Sequence, residues 1–225
     1  MRKPLFLVLW TVLFALYFIF WDCPNAVRIV LKALPELLII VAIMCNRKAI
    51  GRRTLVPVTA ALVLSVLGDT AGEFKFGEII DIAFILQIAF FVVAQVCYTV
   101  SFVRNIEDKW WKMTRREAVL KIAGILLIFI YIFFVASKVF AALDSIVFII
   151  ACAVYMGTLL ASGTTSILQK RKGLALFVLG AMFFIFSDSI IAINSFVEPV
   201  EHPRAIIMST YFLAQLLLNV NLVKK

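Results

Sequence analysis

Asp69 and Asp188 are each embedded in a long run of apolar residues. Asp69 closes Leu64-Ser65-Val66-Leu67-Gly68-Asp69 in the run that opens at Thr54. Asp188 closes Phe186-Ser187-Asp188 in the run that opens at Gly173, at the same distance from its start. Carboxyl groups withheld from water are side chains that general acid–base chemistry uses, one carrying a proton while a partner stays ionised. Each aspartate also has a structural alternative. Asp69 reads equally as a helix-end residue wetted by Ala71-Gly72-Glu73-Phe74-Lys75. Asp188, followed by Ser189-Ile190-Ile191-Ala192-Ile193-Asn194-Ser195-Phe196 before the chain turns acidic, reads as a member of a buried salt bridge.

Other polar residues recur at helical spacing inside apolar runs. Arg28, Lys32 and Glu36 fall at i, i+4 and i+8 and so share one helix face. They form either a cationic mouth for a phosphate head group or an intrahelical Lys32–Glu36 pair with Arg28 reaching outward. Tyr211, Gln215 and Asn219 share a second face, and Gln95 and Tyr98 a third, with Gln87 farther round. Such residues line a polar pocket or hydrogen-bond one helix to another. His202 is the single histidine, and Cys23, Cys45, Cys97 and Cys152 show no CxxC or metal-ligand spacing. Neither a metal site, nor a disulfide, nor a histidine-based hydrolase is expected.

The elements that position these residues follow from composition. Of 225 residues 64% are hydrophobic and 16% charged, against about 25% charged in an ordinary soluble domain. With a mean hydropathy of +1.08 and 21 phenylalanines, a soluble globule of this size would be as apolar outside as inside. The composition therefore points to an all-α, polytopic bundle in a bilayer. Eight apolar stretches approach the length of a membrane crossing: 4–21, 26–44, 54–70, 80–103, 118–136, 139–161, 173–196 and 205–222. A single eight-helix transmembrane domain over 1–225 is the expected organisation. The first stretch, after Arg2 and Lys3, has the outline of a signal peptide, but it ends in Trp21-Asp22-Cys23-Pro24 without a small-x-small cleavage site and is expected to stay as a helix.

Arg2, Lys3, Arg47, Lys48, Arg52, Arg53, Arg104, Lys109, Lys112, Arg115, Arg116, Lys170, Arg171, Lys172, Lys224 and Lys225 fall on one side of these stretches. Lys75, Lys138 and Arg204 fall on the other. The positive-inside rule puts both termini in the cytoplasm, in agreement with an even number of crossings. The net charge of +9 then addresses the cytoplasmic face and its anionic lipids, with no nucleic-acid partner implied. In this orientation each aspartate lies about 22 Å from the inner boundary at 1.5 Å per residue, both in the outer half of the membrane.

A weak internal repeat accompanies the match in depth. Gly68-Asp69 is followed by Ala94-Gln95, and Ser187-Asp188 is followed by Ala214-Gln215 at nearly the same separation. The offset between the two pairs, about 120 residues, implies a four-plus-four duplication with both copies in the same orientation.

Lys32-Ala33-Leu34-Pro35, Ser65-Val66-Leu67-Gly68-Asp69, Ala94-Gln95-Val96-Cys97-Tyr98, Phe186-Ser187-Asp188-Ser189 and Tyr211-Phe212-Leu213-Ala214-Gln215 together resemble the YhhN family of lysoplasmalogenases over essentially the whole chain. At two positions the chain departs from the family pattern, with Ala33 in place of a proline and Gln95 in place of a histidine. The resemblance implies hydrolysis of the vinyl ether bond of a lysophospholipid substrate, giving a fatty aldehyde and a glycerophospho head group, with no cofactor. That chemistry needs an acid and a counter-charge, and Asp69 and Asp188 fit the two roles in either order. Lys32, Glu36, Gln95, Tyr98, Tyr211, Gln215 and Asn219 are the expected substrate contacts. Two other function classes stay open on the residues alone. A proton-coupled transporter would also keep two membrane carboxylates, although Pro35 and Pro57, the prolines within spans, do not occupy matching positions in the two halves. A catalytically silent lipid-binding protein is the other, and aldehyde release separates all three.

Overall fold

The computed structural model describes residues 1–73, 80–106 and 113–223. Lys75, Lys109, Lys112, Lys224 and Lys225, counted in the charge bias, lie outside the described residues. Among the described residues the chain is helical without a β-strand; the sole extended pairing is a bridge between Ile106 and Gln169. The helices are α1 (Lys3–Ile19), α2 (Asn25–Cys45), α3 (Arg47–Ile50), α4 (Arg52–Glu73), α5 (Ile80–Val103), α6 (Arg115–Ala142), α7 (Ile146–Leu168), α8 (Leu174–Ala192) and α9 (Pro203–Asn219).

Among the described residues, six stretches are long and apolar enough to cross a membrane: Arg52–Glu73, Ile82–Val103, Arg115–Ala142, Ile146–Leu168, Leu174–Val197 and Pro203–Leu222. The protein is an integral, multi-pass membrane protein. Of the other two expected crossings, α1 is apolar but only 17 residues long, and α2 has 21 residues but carries Arg28, Lys32 and Glu36.

Local chemistry moves several boundaries. α6 starts at a capping box, in which Thr114 Oγ1 accepts from the Glu117 N–H at 3.2 Å while the Glu117 carboxylate accepts from the Thr114 N–H at 2.9 Å. It continues through Lys138 to Ala142, so the turn expected near 137–138 falls instead at Leu143-Asp144-Ser145. Ala136, Ser137 and Lys138 continue a helix without strain, whereas Asp and Ser compete for backbone hydrogen bonds and favour the break. Lys138, expected in a loop, lies on α6 with its ammonium 5.8 Å from the Phe134 ring centroid. α8 passes into a π-helical turn, Ile193–Val197, and Asn194 Oδ1 then accepts from the Val200 N–H at 3.1 Å.

The chain forms two compact units, Met1–Cys97 with Asn219–Lys225, and Tyr98–Leu218. In the first, α1 packs on α2 and α2 on α4. α1 buries Phe6, Trp10 and Tyr17, an apolar stripe at helical spacing. α4 and α5 approach where Gly68 faces Phe91, whose ring edge lies 3.0 Å from the place a Cβ would take. In the second unit, α6 packs on α7 and α7 on α8 around Val135, Val139 and Cys152. α8 meets α9 at Gly180, where a Cβ would lie 2.9 Å from the backbone nitrogen of Leu218. The lipid-facing character of this unit is plainest on α6, where Leu127 is 66% and Phe133 76% exposed.

Candidate functional site

In the first unit, charges on α2 meet charges on α4. Lys32 Nζ lies 3.1 Å from Asp69 Oδ1 and 3.4 Å from Glu73 Oε1. Arg28 Nη2 lies 2.9 Å from Glu73 Oε2, and Arg28 also donates to the side chain of Asn25. Asn25 Nδ2 donates to the backbone carbonyl of Glu73 at 2.9 Å, which satisfies an end of α4. The step along α2 from Arg28 to Lys32 corresponds to an equal step back along α4, from Glu73 to Asp69, as antiparallel helices of equal rise require. Two cations and two carboxylates are thereby paired in a place short of water. This ladder replaces the Lys32–Glu36 pair and the outward Arg28 considered from sequence: α4 offers Lys32 a carboxylate from a second helix. The alternative of Asp69 as a wetted helix-end residue is also corrected, since α4 continues one further turn and Asp69 is 5% exposed.

In the second unit, Asp188 lies on α8 with Oδ2 accepting a hydrogen bond from the Tyr155 hydroxyl of α7. It borders a cavity of about 30 Å³ between α6, α7 and α8, large enough for a water molecule. Ile132, Cys152, Tyr155, Met156 and Ser189 are among the other lining residues, and none of the lining residues among those described is Lys or Arg. The residues flanking Asp188 tie α8 in place: Ser187 Oγ donates across to the Ile207 carbonyl of α9 at 3.0 Å, and Ser189 Oγ donates back to the Ile185 carbonyl at 2.7 Å.

A third polar group is neutral. Tyr98 donates to Gln215 Oε1 at 2.7 Å, and Gln215 Nε2 donates to the Tyr211 hydroxyl at 3.2 Å. Tyr211 is wedged edge-on against Phe184, with ring centroids 5.4 Å apart. Glu36, Gln95 and Asn219 are buried in the first unit. The nine residues expected to act as catalytic groups or substrate contacts are thus all buried. The structure joins Lys32 to Asp69 and Tyr98 to Gln215 and Tyr211, and of the nine it places Asp188 alone on the water-sized cavity.

Two further residues belong to this account and were not singled out as functional from sequence. Tyr155 is a phenol in the middle of an apolar stretch, and the requirement that a buried hydroxyl find a partner would have drawn it out. Glu73 stands one helical turn after Asp69, the spacing that matches Arg28 and Lys32, but reading it as a loop residue hid the match.

Comparison with known proteins agrees with the motif pattern. A Homo sapiens protein named lysoplasmalogenase TMEM86A is 53% identical over 45 residues, 20% of this chain and 19% of the relative. Its Bos taurus namesake is 49% identical over 45 residues, with the same coverage, and a Sus scrofa protein named lysoplasmalogenase TMEM86B is 40% identical over 42 residues, 19% of each chain. The matched stretch thus spans about a fifth of these relatives. No solved structure matches significantly. The YhhN family profile matches residues 27–222, which take in both aspartates, the α2–α4 charge ladder and the Tyr98–Gln215–Tyr211 chain; the protein belongs to the YhhN family.

Proposed function

We propose that the protein is an intramembrane hydrolase that cleaves the vinyl ether bond of lysoplasmalogen-type lysophospholipids to a fatty aldehyde and a glycerophospho head group, without a cofactor. The observation that carries this reading is the seat of Asp188: a buried carboxyl group, hydrogen-bonded to Tyr155, on a cavity with room for the water a hydrolysis consumes. Family membership and the names of the three relatives support the substrate class.

The chemistry requires an acid and an anion. Protonation of the alkene carbon remote from oxygen forms a C–H bond at the expense of the π bond and leaves an oxocarbenium ion. Water adds to the carbon bearing oxygen and gives its proton to a carboxylate. The hemiacetal then loses the glyceryl oxygen as an alcohol and releases the aldehyde. Glycosidases meet a similar cation with two carboxyl groups. Asp188, on a cavity lined by no cation among the described residues, is assigned the proton donor. Asp69, ion-paired with Lys32, is assigned the counter-charge. Lys32, Glu36, Gln95, Tyr98, Tyr211, Gln215 and Asn219 are the proposed substrate contacts.

The same proposal includes eight crossings in one transmembrane domain, a four-plus-four duplication and cytoplasmic termini. A carboxy-terminal reporter active only outside the cytoplasm should stay silent. The activity is tested by incubating purified protein with lysoplasmalogen and measuring aldehyde. Aldehyde and glycerophospho head group should appear in equal amounts, and their absence with correctly folded protein overturns the reading in favour of lipid binding without turnover. Gln95→His is expected to raise turnover if the departure from the family pattern weakened catalysis.

A further inference from the structure

The cavity at Asp188 carries a second fixed polar side chain. Ser189, the next residue of α8, is buried on the same lining. Its proton is committed, because Ser189 Oγ donates to the Ile185 carbonyl at 2.7 Å. Tyr131 of α6 makes a side-chain hydrogen bond to the same serine. A serine hydroxyl has one proton and two acceptor sites, so with the proton spent on Ile185 the phenol must be the donor, and one acceptor site of Oγ is left over. Tyr131 is itself held, packed against the cluster of Val135, Val139 and Cys152. The serine oxygen is thereby fixed from two helices.

The size of the cavity says what it holds. About 30 Å³ accommodates a water and excludes a lipid chain. A buried water needs two or more polar partners, and the Asp188 carboxyl and Ser189 hydroxyl, on adjacent residues, supply two. Each partner is oriented by a phenol from another helix: Tyr155 of α7 donates to Asp188 Oδ2, and Tyr131 of α6 to Ser189. Ile132, Val135, Leu159 and Ala192 close other sides with hydrocarbon.

We propose that Asp188 and Ser189 bind the reacting water before the alkene is protonated, and that Ser189, held by Tyr131, orients it. This rests on the hydrolytic reading above and names the residues that serve its second step. An oxocarbenium ion does not last while water diffuses in through hydrocarbon, so the molecule that captures it must already be in place. The steps balance on Asp188. Its O–H bond breaks as the new C–H bond forms at the alkene carbon remote from oxygen, leaving a carboxylate beside the cavity. The water then directs one proton to that carboxylate and the other to Ser189 Oγ, which leaves an oxygen lone pair for the cationic carbon. As the C–O bond forms, the first proton passes to Asp188, which returns to its acid form, and the hemiacetal is left neutral. Asp188 is thus acid in the first step and base in the second, as one carboxyl group is in a retaining glycosidase.

The test uses purified full-length protein with lysoplasmalogen, in water and in aqueous methanol. Ser189→Ala should lower kcat about tenfold with KM unchanged, the effect of one hydrogen bond lost at the reacting water. Tyr131→Phe should show a smaller loss in the same direction, and it keeps the test open if Ser189→Ala fails to fold. Ser209→Ala is the matched control, since Ser209 Oγ donates to the Ala205 carbonyl at 2.7 Å, the same bond within α9 that Ser189 makes within α8; kcat and KM should not change. In methanol the wild type should release aldehyde alone, because the bound water is the nucleophile. Ser189→Ala should also give the methyl glyceryl mixed acetal, since a water no longer held in place is exchanged for methanol, a change of product that a purely structural role would not cause. An unchanged kcat or the absence of mixed acetal in folded Ser189→Ala overturns the proposal, as does an equal loss in Ser209→Ala, which would assign the effect to the helix bond. If folded wild type releases no aldehyde, the hydrolytic reading fails and the water site is decided by high-resolution crystals of the two forms. Water density bridging Asp188 and Ser189 in wild type and lost in Ser189→Ala supports the site, and a dry cavity in wild type overturns it.

Discussion

Asp69 and Asp188 occupy similar sequence settings, Gly68-Asp69 and Ser187-Asp188, and the two units give them opposite surroundings. Asp69 is opposed by the Lys32 ammonium at 3.1 Å, within a ladder that also pairs Arg28 with Glu73. Asp188 accepts from a neutral phenol and faces a cavity lined, among the described residues, by no Lys or Arg. Two groups of one chemical type can be driven to different protonation roles by environment alone, the rule by which paired carboxyl groups divide acid from anion. The lesson extends to packing. Where α4 approaches α5, Gly68 faces an aromatic side chain that can shift; where α8 approaches α9, Gly180 faces backbone that cannot.

The largest effect is expected from Asp69→Asn, because it removes the counter-charge and leaves Lys32 with Glu73 alone at 3.4 Å. Loss of one member of a buried ion pair costs about 3 kcal/mol or more, so folded yield and turnover should fall together. The double variant Lys32→Met with Asp69→Leu should recover the yield without the turnover. Wild-type turnover in that double variant would make Asp69 purely structural and remove one side of the contrast.

Asp188→Asn should behave differently. The amide oxygen still accepts from Tyr155, so the protein should fold, while turnover per folded molecule falls by about 10²-fold or more as the acid is lost. Normal specific activity in this variant would end the proposed mechanism. Next in size, Gly180→Ala should lower thermal stability by about 1–3 kcal/mol through overpacking against the Leu218 backbone. Gly68→Ala should cost less, because Phe91 can turn; equal losses would show that the two helix contacts are alike after all. Smallest is Tyr155→Phe, which removes one hydrogen bond worth about 1 kcal/mol and should slow turnover about fivefold. A shifted pH–rate profile with KM unchanged would mark Tyr155 as a positioning residue for Asp188, whereas a loss of yield alone would mark it as part of the packing.

The order of amino acids was enough to make this a multi-pass helical membrane protein of the YhhN family, because long apolar runs leave a lipid-immersed backbone no other way to satisfy its own hydrogen bonds. It also picked out buried polar residues, since polar groups within such runs must find partners away from lipid. Helix packing chose which partner each one takes. Lys32 turns from Glu36 on its own helix to Asp69 and Glu73 on another, and this depends on the antiparallel register of α2 and α4, which no spacing within α2 encodes. Helix ends were set locally but against the hydropathy pattern, as where α6 absorbs Lys138 and α4 extends to Glu73, because a single charge near the end of an apolar helix ends it only if nothing nearby compensates that charge. The pairing of Tyr155 with Asp188 was beyond the sequence for the same reason: the two lie 33 residues apart, and only the packing of α7 on α8 brings phenol and carboxylate together.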